Sequence, residues 1–594
     1  MYLRTIQRRN RDGSVVRYVQ LAHNERHPVS GNAVAKVLHS FGREDRLDRD
    51  ALARLVASIS RYLGPSAQLR LDEAAPGGGD AGLAFLSCRQ LGGTWVLDGL
   101  WRRLGVDEVI RGLLARRRCD PVAVERVLFA LVANRALDPS SKLAATRWVA
   151  EIARVPGLES LDPDAAYRAM DLLGEIVDEL AERVFWATAT LLDLEVDLLF
   201  FDSTSTYFER DTADQPVPRD ARGEVIGSGS AEDGDTDTGH GDHDGDGGAQ
   251  DGVVGLGGFR AYGHSKDHRE DRPQVVIGMA VTRTGIPIRV WTWPGNTADV
   301  TLIDQFRADL RDCKLTRVVW VTDRGFASAG NRRTLRTGGG HYIQAERLRG
   351  NTEAAAALAR AGRYRTVAGN LRVKEIKPRP EQGVMADRFI CCHNPEQADR
   401  DAAVRAQLRQ AIDGSDTLTP TKRAELRGRI SAMPGLNRYL RITAGGLLRV
   451  DADAVRREAH LDGKWLLRCS DPSLSPEDIA GGYKQLLEVE RGWRDLKTHL
   501  DLRPVHHRRE DRIRAHVQLC WLALLLVRIA ETGDPTRTWR RIREELQTLQ
   551  VGTFAGNAGH VHQRTELTPA QRDILTRLDL PEPPRFLHLA PANG

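Results

Sequence analysis

Residues 196–206 read Val196-Asp197-Leu198-Leu199-Phe200-Phe201-Asp202-Ser203-Thr204-Ser205-Thr206, a near-continuous apolar run that meets a carboxylate and then a polar stretch. A short apolar run bounded by turn chemistry reads as a buried strand. A second run, Val318-Val319-Trp320-Val321-Thr322, ends on Asp323 and is followed by Arg324-Gly325. Each acid is therefore expected at the carboxyl end of its strand, the edge at which open α/β sheets place ligands. Between the two runs the pattern predicts strands at Gln274–Thr282 and Ile286–Trp293, with Arg283-Thr284-Gly285 as the hairpin signal, and then a helix at Thr301–Arg311.

The order strand, strand, strand, helix, strand, with acids on the first and fourth strands, predicts an α/β fold with a ribonuclease H-like catalytic core. A third acid, Glu490, falls on a helix expected from Tyr483 to about Leu500. At roughly 100° per residue, Tyr483, Glu490, Arg494 and Lys497 share a stripe about 60° wide, while Val489, Trp493, Leu496 and Leu500 gather on the adjacent one. Such a helix buries one side and presents an acid, two cations and a phenol along an edge. Carboxylates can hold a metal and cations can hold phosphate oxygens, so the trio reads as a two-metal nuclease site.

Each part has an ordinary counterpart. A single Asp after a strand is usually a turn or cap residue, and a Glu/Arg/Lys stripe is usually a solvated face. The joint pattern is what carries the reading.

The chain has 594 residues, enough for several domains with large cores. Its start, Met1-Tyr2-Leu3-Arg4-Thr5, has no signal-type apolar core, and the most apolar stretch, Leu519 to Val527, is too short to span a bilayer. A soluble, cytoplasmic protein with no membrane partner is expected. Seven cysteines without CxxC spacing give neither a zinc site nor a disulfide framework. The net charge of +5 hides a segregation: residues 231–251 hold eight acids and no Lys or Arg, leaving +13 on the rest. A basic remainder favours a polyanion. Arg491, Arg494, Lys497, Arg503, Arg508, Arg509, Arg512 and Arg514 cluster, although a solvated Arg-rich surface gives the same composition.

Along the chain, residues 1–72 read as a small β-sheet plus a helix at 51–63, followed by a linker at 72–82. Residues 83–194 read as helical, a pattern that helix-turn-helix packing and bundles without DNA partners give equally often, with Asp or Ser caps at Asp120-Pro121, Asp138-Pro139-Ser140-Ser141 and Asp162-Pro163. Residues 195–345 form the first part of the core, interrupted at 210–258 by an acidic, disordered insertion. Within it Asp233, Asp235 and Asp237 resemble a calcium loop, but Thr238 stands at the glycine position. Residues 346–475 read as an inserted subdomain, 476–532 as the closing helices of the core and 533–594 as a C-terminal tail.

Phe201-Asp202-Ser203-Thr204, Thr322-Asp323-Arg324-Gly325 and residues 263–269, Gly-His-Ser-Lys-Asp-His-Arg, resemble the DDE transposases of bacterial insertion sequences. The similarity is to the branch with a β-containing insertion domain before the Glu and a Tyr-Arg-Glu-Lys signature. Three of those four positions match as Tyr483, Glu490 and Lys497, and the Arg position is Leu486. The resemblance implies that Asp202, Asp323 and Glu490 are catalytic and hold two Mg²⁺ ions, for which Mn²⁺ can substitute. It places Tyr483, Arg494 and Lys497, with Arg491, Lys266 and His264, on the phosphate and DNA-binding side, Arg491 or Arg494 standing in for the missing arginine.

The implied activity is cut-and-paste transposition: metal-dependent cleavage at element ends, then strand transfer to target DNA. The implied partners are double-stranded DNA, as terminal inverted repeats and target, with residues 83–194 as the DNA-end-binding domain, and a second copy in a homodimer on DNA. A ribonuclease H-like nuclease without strand transfer, or a DNA-binding derivative that has lost catalysis, are the alternatives.

Overall fold

The computed structural model describes residues 2–9, 15–26, 33–43, 47, 83–191, 198–220, 222–226, 255–310, 318–377, 387–503, 505–532, 534, 536–556 and 559–591. The expected helix at 51–63, the linker at 72–82 and the acidic run with its calcium-loop candidate lie outside the described residues.

Two units are distinguished. One draws on residues 1–88, 551–566 and 584–594. It holds an antiparallel sheet of Tyr2–Arg9, Val15–Arg26 and Ala33–Arg43, in sequence order. A second sheet has the order Phe586–Pro591, Gly559–Arg564, Gln550–Gly556, Ala84–Gln90. Phe85 and Phe554 meet edge to face at 5.5 Å. Residues 533–594, read from sequence as a tail, thus supply three strands and the helices Trp539–Leu546 and Pro569–Arg577. Gln550–Gly556 and Gly559–Arg564 pair as a local hairpin, but the partner that completes the sheet, Ala84–Gln90, is distant in sequence, so no local pattern announces the sheet as a whole.

The other unit spans 89–550 and 567–583. It begins with helices Gly92–Arg103, Val106–Leu114 and Pro121–Leu137. The expected caps form: Asp120 accepts from the N–H groups of Val122 and Ala123, Ser141 from Ala144 and Asp162 from Ala165. Inside the bundle Arg126 pairs with Asp98 and Glu125, and Trp101 Nε1 donates to Glu125 at 2.8 Å. All of these groups are buried, so the ions are tolerated because each is answered.

The elements that build the site follow in chain order. They are α1 (Pro163–Leu191), β1 (Leu198–Tyr207), β2 (Gln274–Thr282), β3 (Pro287–Pro294), α2 (Leu302–Asp309), β4 (Val319–Thr322), α3 (Ala329–Arg336) and β5 (His341–Glu346). After them come β6 (Arg365–Ala368), β7 (Leu371–Ile376), β8 (Arg388–His393) and β9 (Lys464–Cys469). Four helices complete the set: α4 (Pro476–Lys484), α5 (Leu487–Thr498), α6 (Glu510–Glu531) and α7 (Trp539–Leu546).

The strands form one nine-stranded sheet in the order β6-β7-β8-β9-β5-β4-β1-β2-β3. The β1–β4 and β4–β5 pairs are parallel, and the others are antiparallel. The predicted hairpin joins β2 to β3, with Gly285 at φ 79°. The strand-like runs that the sequence carries between Asp323 and Glu490, at Tyr342–Ala345, Arg372–Ile376, Phe389–His393 and Trp465–Cys469, all form, but they extend the central sheet instead of building one of their own. Within that stretch a small separate core of Leu408, Leu426, Ile430, Leu436, Tyr439 and Leu448 gathers the helices Pro395–Ile412 and Pro420–Ser431 and a short hairpin.

Alternation along β1 divides the packing. Leu198 and Phe200 join the core made with α4, α5 and α6, while Leu199 and Phe201 join the core under α2 and α3, where Phe201 stacks on Phe306 at 4.0 Å. Helix α6 is long and apolar enough, by length and composition, to cross a bilayer, more than Leu519–Val527 indicated. It is instead almost entirely buried against Pro121–Leu137, α1 and β3.

Helix α7 docks through Trp539, which is 6% exposed and donates from Nε1 to the Ala136 carbonyl at 2.8 Å. Trp539→Ala is expected to destabilise this unit by about 3–5 kcal/mol, read as a lower Tm of its transition in calorimetry.

Candidate active site

Asp202 is not the last residue of its strand. β1 runs on to Tyr207 because Ser203, Thr204, Ser205 and Thr206 continue the ladder with β2, where Asp202 faces Met279. Threonines suit a pleated strand, and most of these buried hydroxyls find partners. The parallel ladder to β4, however, stops at Phe201 opposite Thr322. Asp323 is the next residue of that chain, so the two carboxylates sit side by side where the parallel pairing ends.

Burial pushes the Asp202 carboxyl up to about 6. The Lys266 ammonium and the Ser203 N–H favour its charged form, and the Asp323 and Asp299 carboxylates oppose it. Tyr483 Oη donates to Asp323 Oδ1 at 2.9 Å. Burial and the adjacent carboxylate raise that phenol well above its ordinary range, so it stays a neutral donor. Tyr483 does not share a helix with Glu490: it lies in the last turn of α4, and the chain breaks at Gln485 and Leu486 before α5 begins. Leu486, at the departing signature position, is 8% exposed and part of the apolar core.

Glu490 is carried on α5, which packs on β1 and β2 through Val489, Gly492, Trp493 and Leu496. A Cβ on Gly492 would lie 2.7 Å from Met279 Cε, so the helix crosses close to the strand position that faces Asp202. The Glu490 side chain is exposed. No group of three or more His, Cys, Asp or Glu able to hold a metal ion occurs among the described residues. The structure thus brings together Asp202, Asp323 and Tyr483, and leaves the Glu490 carboxylate outside that group.

The cations divide in two. Lys497 Nζ contacts Thr204 Oγ1 at 2.8 Å and Asp267 Oδ1 at 2.9 Å, and Lys266 Nζ donates to Ser203 O at 2.7 Å and lies 3.2 Å from Asp299 Oδ2. Lys497 faces inward, whereas Lys266 reaches its partners from an exposed position. Arg491 pairs with Glu531 at 3.0 Å, and His264 pairs with Glu270 at 3.4 Å on the surface. Arg494 is exposed and lines a cleft of about 300 Å³ with Arg491, His499, Trp539, Arg540 and Arg543. Two other hollows, of about 660 and 570 Å³, are lined by none of the three acids.

Two residues of the site were missed from sequence. Asp299 accepts from Ser203 Oγ at 2.6 Å, and Asp267 links Lys497 to Arg503. Asp299 stands just past β3, where an acid before a helix reads as a cap. Asp267 lies in the 263–269 block, whose density of charged residues was the available signal.

The sequence model described as Transposase DDE domain matches residues 229–526, half of the chain, including Asp323 and Glu490 and starting beyond Asp202. That of the IS1634 family transposase, N-terminal domain, matches residues 3–69. No curated protein matches the chain significantly. A solved piggyBac transposase synaptic complex with hairpin DNA aligns over 79% of this chain and 82% of its own, at 10% identity and a TM-score of 0.31, too low to carry an argument. On the two sequence matches, the chain belongs to the DDE transposases of insertion sequences.

Proposed function

We propose that this protein cuts phosphodiester bonds at the ends of an insertion sequence and joins the freed 3′ ends to target DNA, in a cut-and-paste reaction that uses divalent metal. The observation that carries the reading is the pair Asp202 and Asp323 on neighbouring parallel strands in the interior of the sheet. The strand order β3-β2-β1-β4-β5, with β1, β4 and β5 parallel, supports a ribonuclease H-like core.

The donor set fits a hard cation. Mg²⁺ is commonly held by one or two carboxylates, with water and phosphate filling the rest of its shell, and Asp202 and Asp323 offer such a pair. Glu490, two helical turns before Lys497 on α5, is the third ligand in this reading. When bound, the ions would activate the attacking oxygen and stabilise the leaving one.

The chain's own residues do the rest. Tyr483 fixes the orientation of Asp323 by donating to Oδ1, leaving its other oxygen free of that bond. Arg494, exposed on the same edge as Glu490, binds a backbone phosphate and holds the scissile group in line. Phosphate neutralisation by Arg494, Arg540 and their neighbours makes binding to double-stranded DNA salt-dependent. Two copies on DNA, one per element end, complete the reading, with the protein acting in solution in the cytoplasm.

Asp202→Ala, Asp323→Ala and Glu490→Ala are each expected to lower Mg²⁺-dependent cleavage of a duplex carrying the terminal repeat by about a hundredfold or more, with DNA binding retained in a gel-shift assay. Full cleavage by any of them would remove that residue from the site.

The raised Asp202 value sets a pH dependence. Below about 6 the carboxyl holds its proton, so metal binding must displace it. Mn²⁺ affinity, measured by titration, is expected to fall as pH drops through 6, by about tenfold per unit well below it. In metal-free protein the sign is opposite for stability. A carboxyl raised above its unfolded value costs stability at neutral pH, and that cost fades as pH falls toward the unfolded value. Asp202→Asn should remove both effects.

A further inference from the structure

Lys266 and Lys497, both expected to face phosphate, are each committed to protein partners, Lys497 inside the protein and Lys266 with its side chain 31% exposed. Lys497 is 11% exposed, with its ammonium on Thr204 Oγ1 at 2.8 Å and Asp267 Oδ1 at 2.9 Å. Arg503 Nη1 holds the second oxygen of Asp267 at 2.9 Å, and Asp267 itself is 12% exposed. Lys266, the neighbouring residue, donates to Ser203 O and to Ser203 Oγ at 2.7 and 2.6 Å, and lies 3.2 Å from Asp299. Its backbone N–H donates to Ser205 Oγ at 3.0 Å. The loop is tightened by Ser265 Oγ, which accepts from the N–H groups of Asp267 and Arg269, and by a left-handed turn at His268, φ 56°.

One loop therefore grips β1 at Ser203 and Ser205, immediately after Asp202, and grips α5 at Lys497, on the same face as Glu490. For Lys497 to take a DNA phosphate, that phosphate would have to displace a carboxylate already in contact in a nearly closed site. Breaking a buried pair leaves an uncompensated charge, so the link is stiff. Arg494, by contrast, is exposed.

We propose that residues 264–269 form a strap that sets the separation of β1 and α5, with Lys266 and Asp267 as positioning residues for Asp202 and Glu490, and with Lys497 as its anchor on the helix and not a DNA contact. This rests on the reading of the acids as metal ligands.

The test uses the full chain and the variants Asp267→Asn, Lys497→Met, Lys497→Arg, the double variant Asp267→Asn/Lys497→Met, and Arg494→Ala. Mn²⁺ binding is followed by electron paramagnetic resonance. Affinity for a short duplex DNA is measured across a salt series in Ca²⁺. Asp267→Asn and Lys497→Met are expected to weaken Mn²⁺ binding by about tenfold or more, as loss of a group supporting metal ligands does. The double variant should be no worse than either single one, and Lys497→Arg should retain binding. The salt slope of DNA binding should stay unchanged in all of these and fall by about one in Arg494→Ala.

Intact Mn²⁺ binding together with a reduced salt slope in Lys497→Met would overturn the proposal and return Lys497 to the phosphate. Asp267→Asn, which keeps shape, carries the test if Lys497→Met does not fold. Asp202→Asn and Glu490→Gln separate the two layers. If these leave Mn²⁺ binding as in the wild type, the metal reading fails and the strap with it. If they abolish binding while the strap variants do not, the strap alone fails.

Discussion

The parallel ladder between β1 and β4 is the constraint on which the site depends. It ends at Phe201 and Thr322, and each chain's next residue is an aspartate. Parallel pairing requires a long crossover, which the β2–β3 hairpin and α2 supply, and it buries both faces of the strands. The energy holding the acids together is therefore apolar. Phe200 is fixed against the α4–α6 side and Phe201 against Phe306 and Phe326 on the other. Two carboxylates held side by side on so rigid a platform cannot relax apart, and each opposes the other's charge.

Much of this was legible in the residues. The apolar runs, the Arg283-Thr284-Gly285 turn and the Asp and Ser caps are local signals, and the elements they predict all form. The four strands between Asp323 and Glu490 were also legible as strands, but not their membership of the central sheet, because pairing between distant segments leaves no periodic trace. The helix break at Gln485 and Leu486 was missed for a related reason. The residues there are ordinary helix formers, so nothing local marks the break, at which Leu486 is buried in the core.

The site itself was legible as residue types more than as partnerships. Asp202 and Asp323 stand together as their positions implied, yet Asp202 lies within its strand because a Ser/Thr run can continue a ladder as well as end one. Charge alone pointed Lys266 and Lys497 outward, whereas their partners, Asp299, Asp267 and Thr204, are brought in by three separate segments. A long side chain with an apolar stem is read as solvated until its partner is known. Glu490 shows the reverse: its place on the helix was predicted, and its carboxylate faces solvent beside Arg494.

The four-stranded sheet that joins Ala84–Gln90 to Gln550–Gly556, Gly559–Arg564 and Phe586–Pro591 draws on opposite ends of the chain. On a ribosome its first strand must wait for partners made about 460 residues after it. Contacts this far apart in sequence form late. A product that stopped before Gln550, however complete its central sheet, would leave Ala84–Gln90 without its three sheet partners.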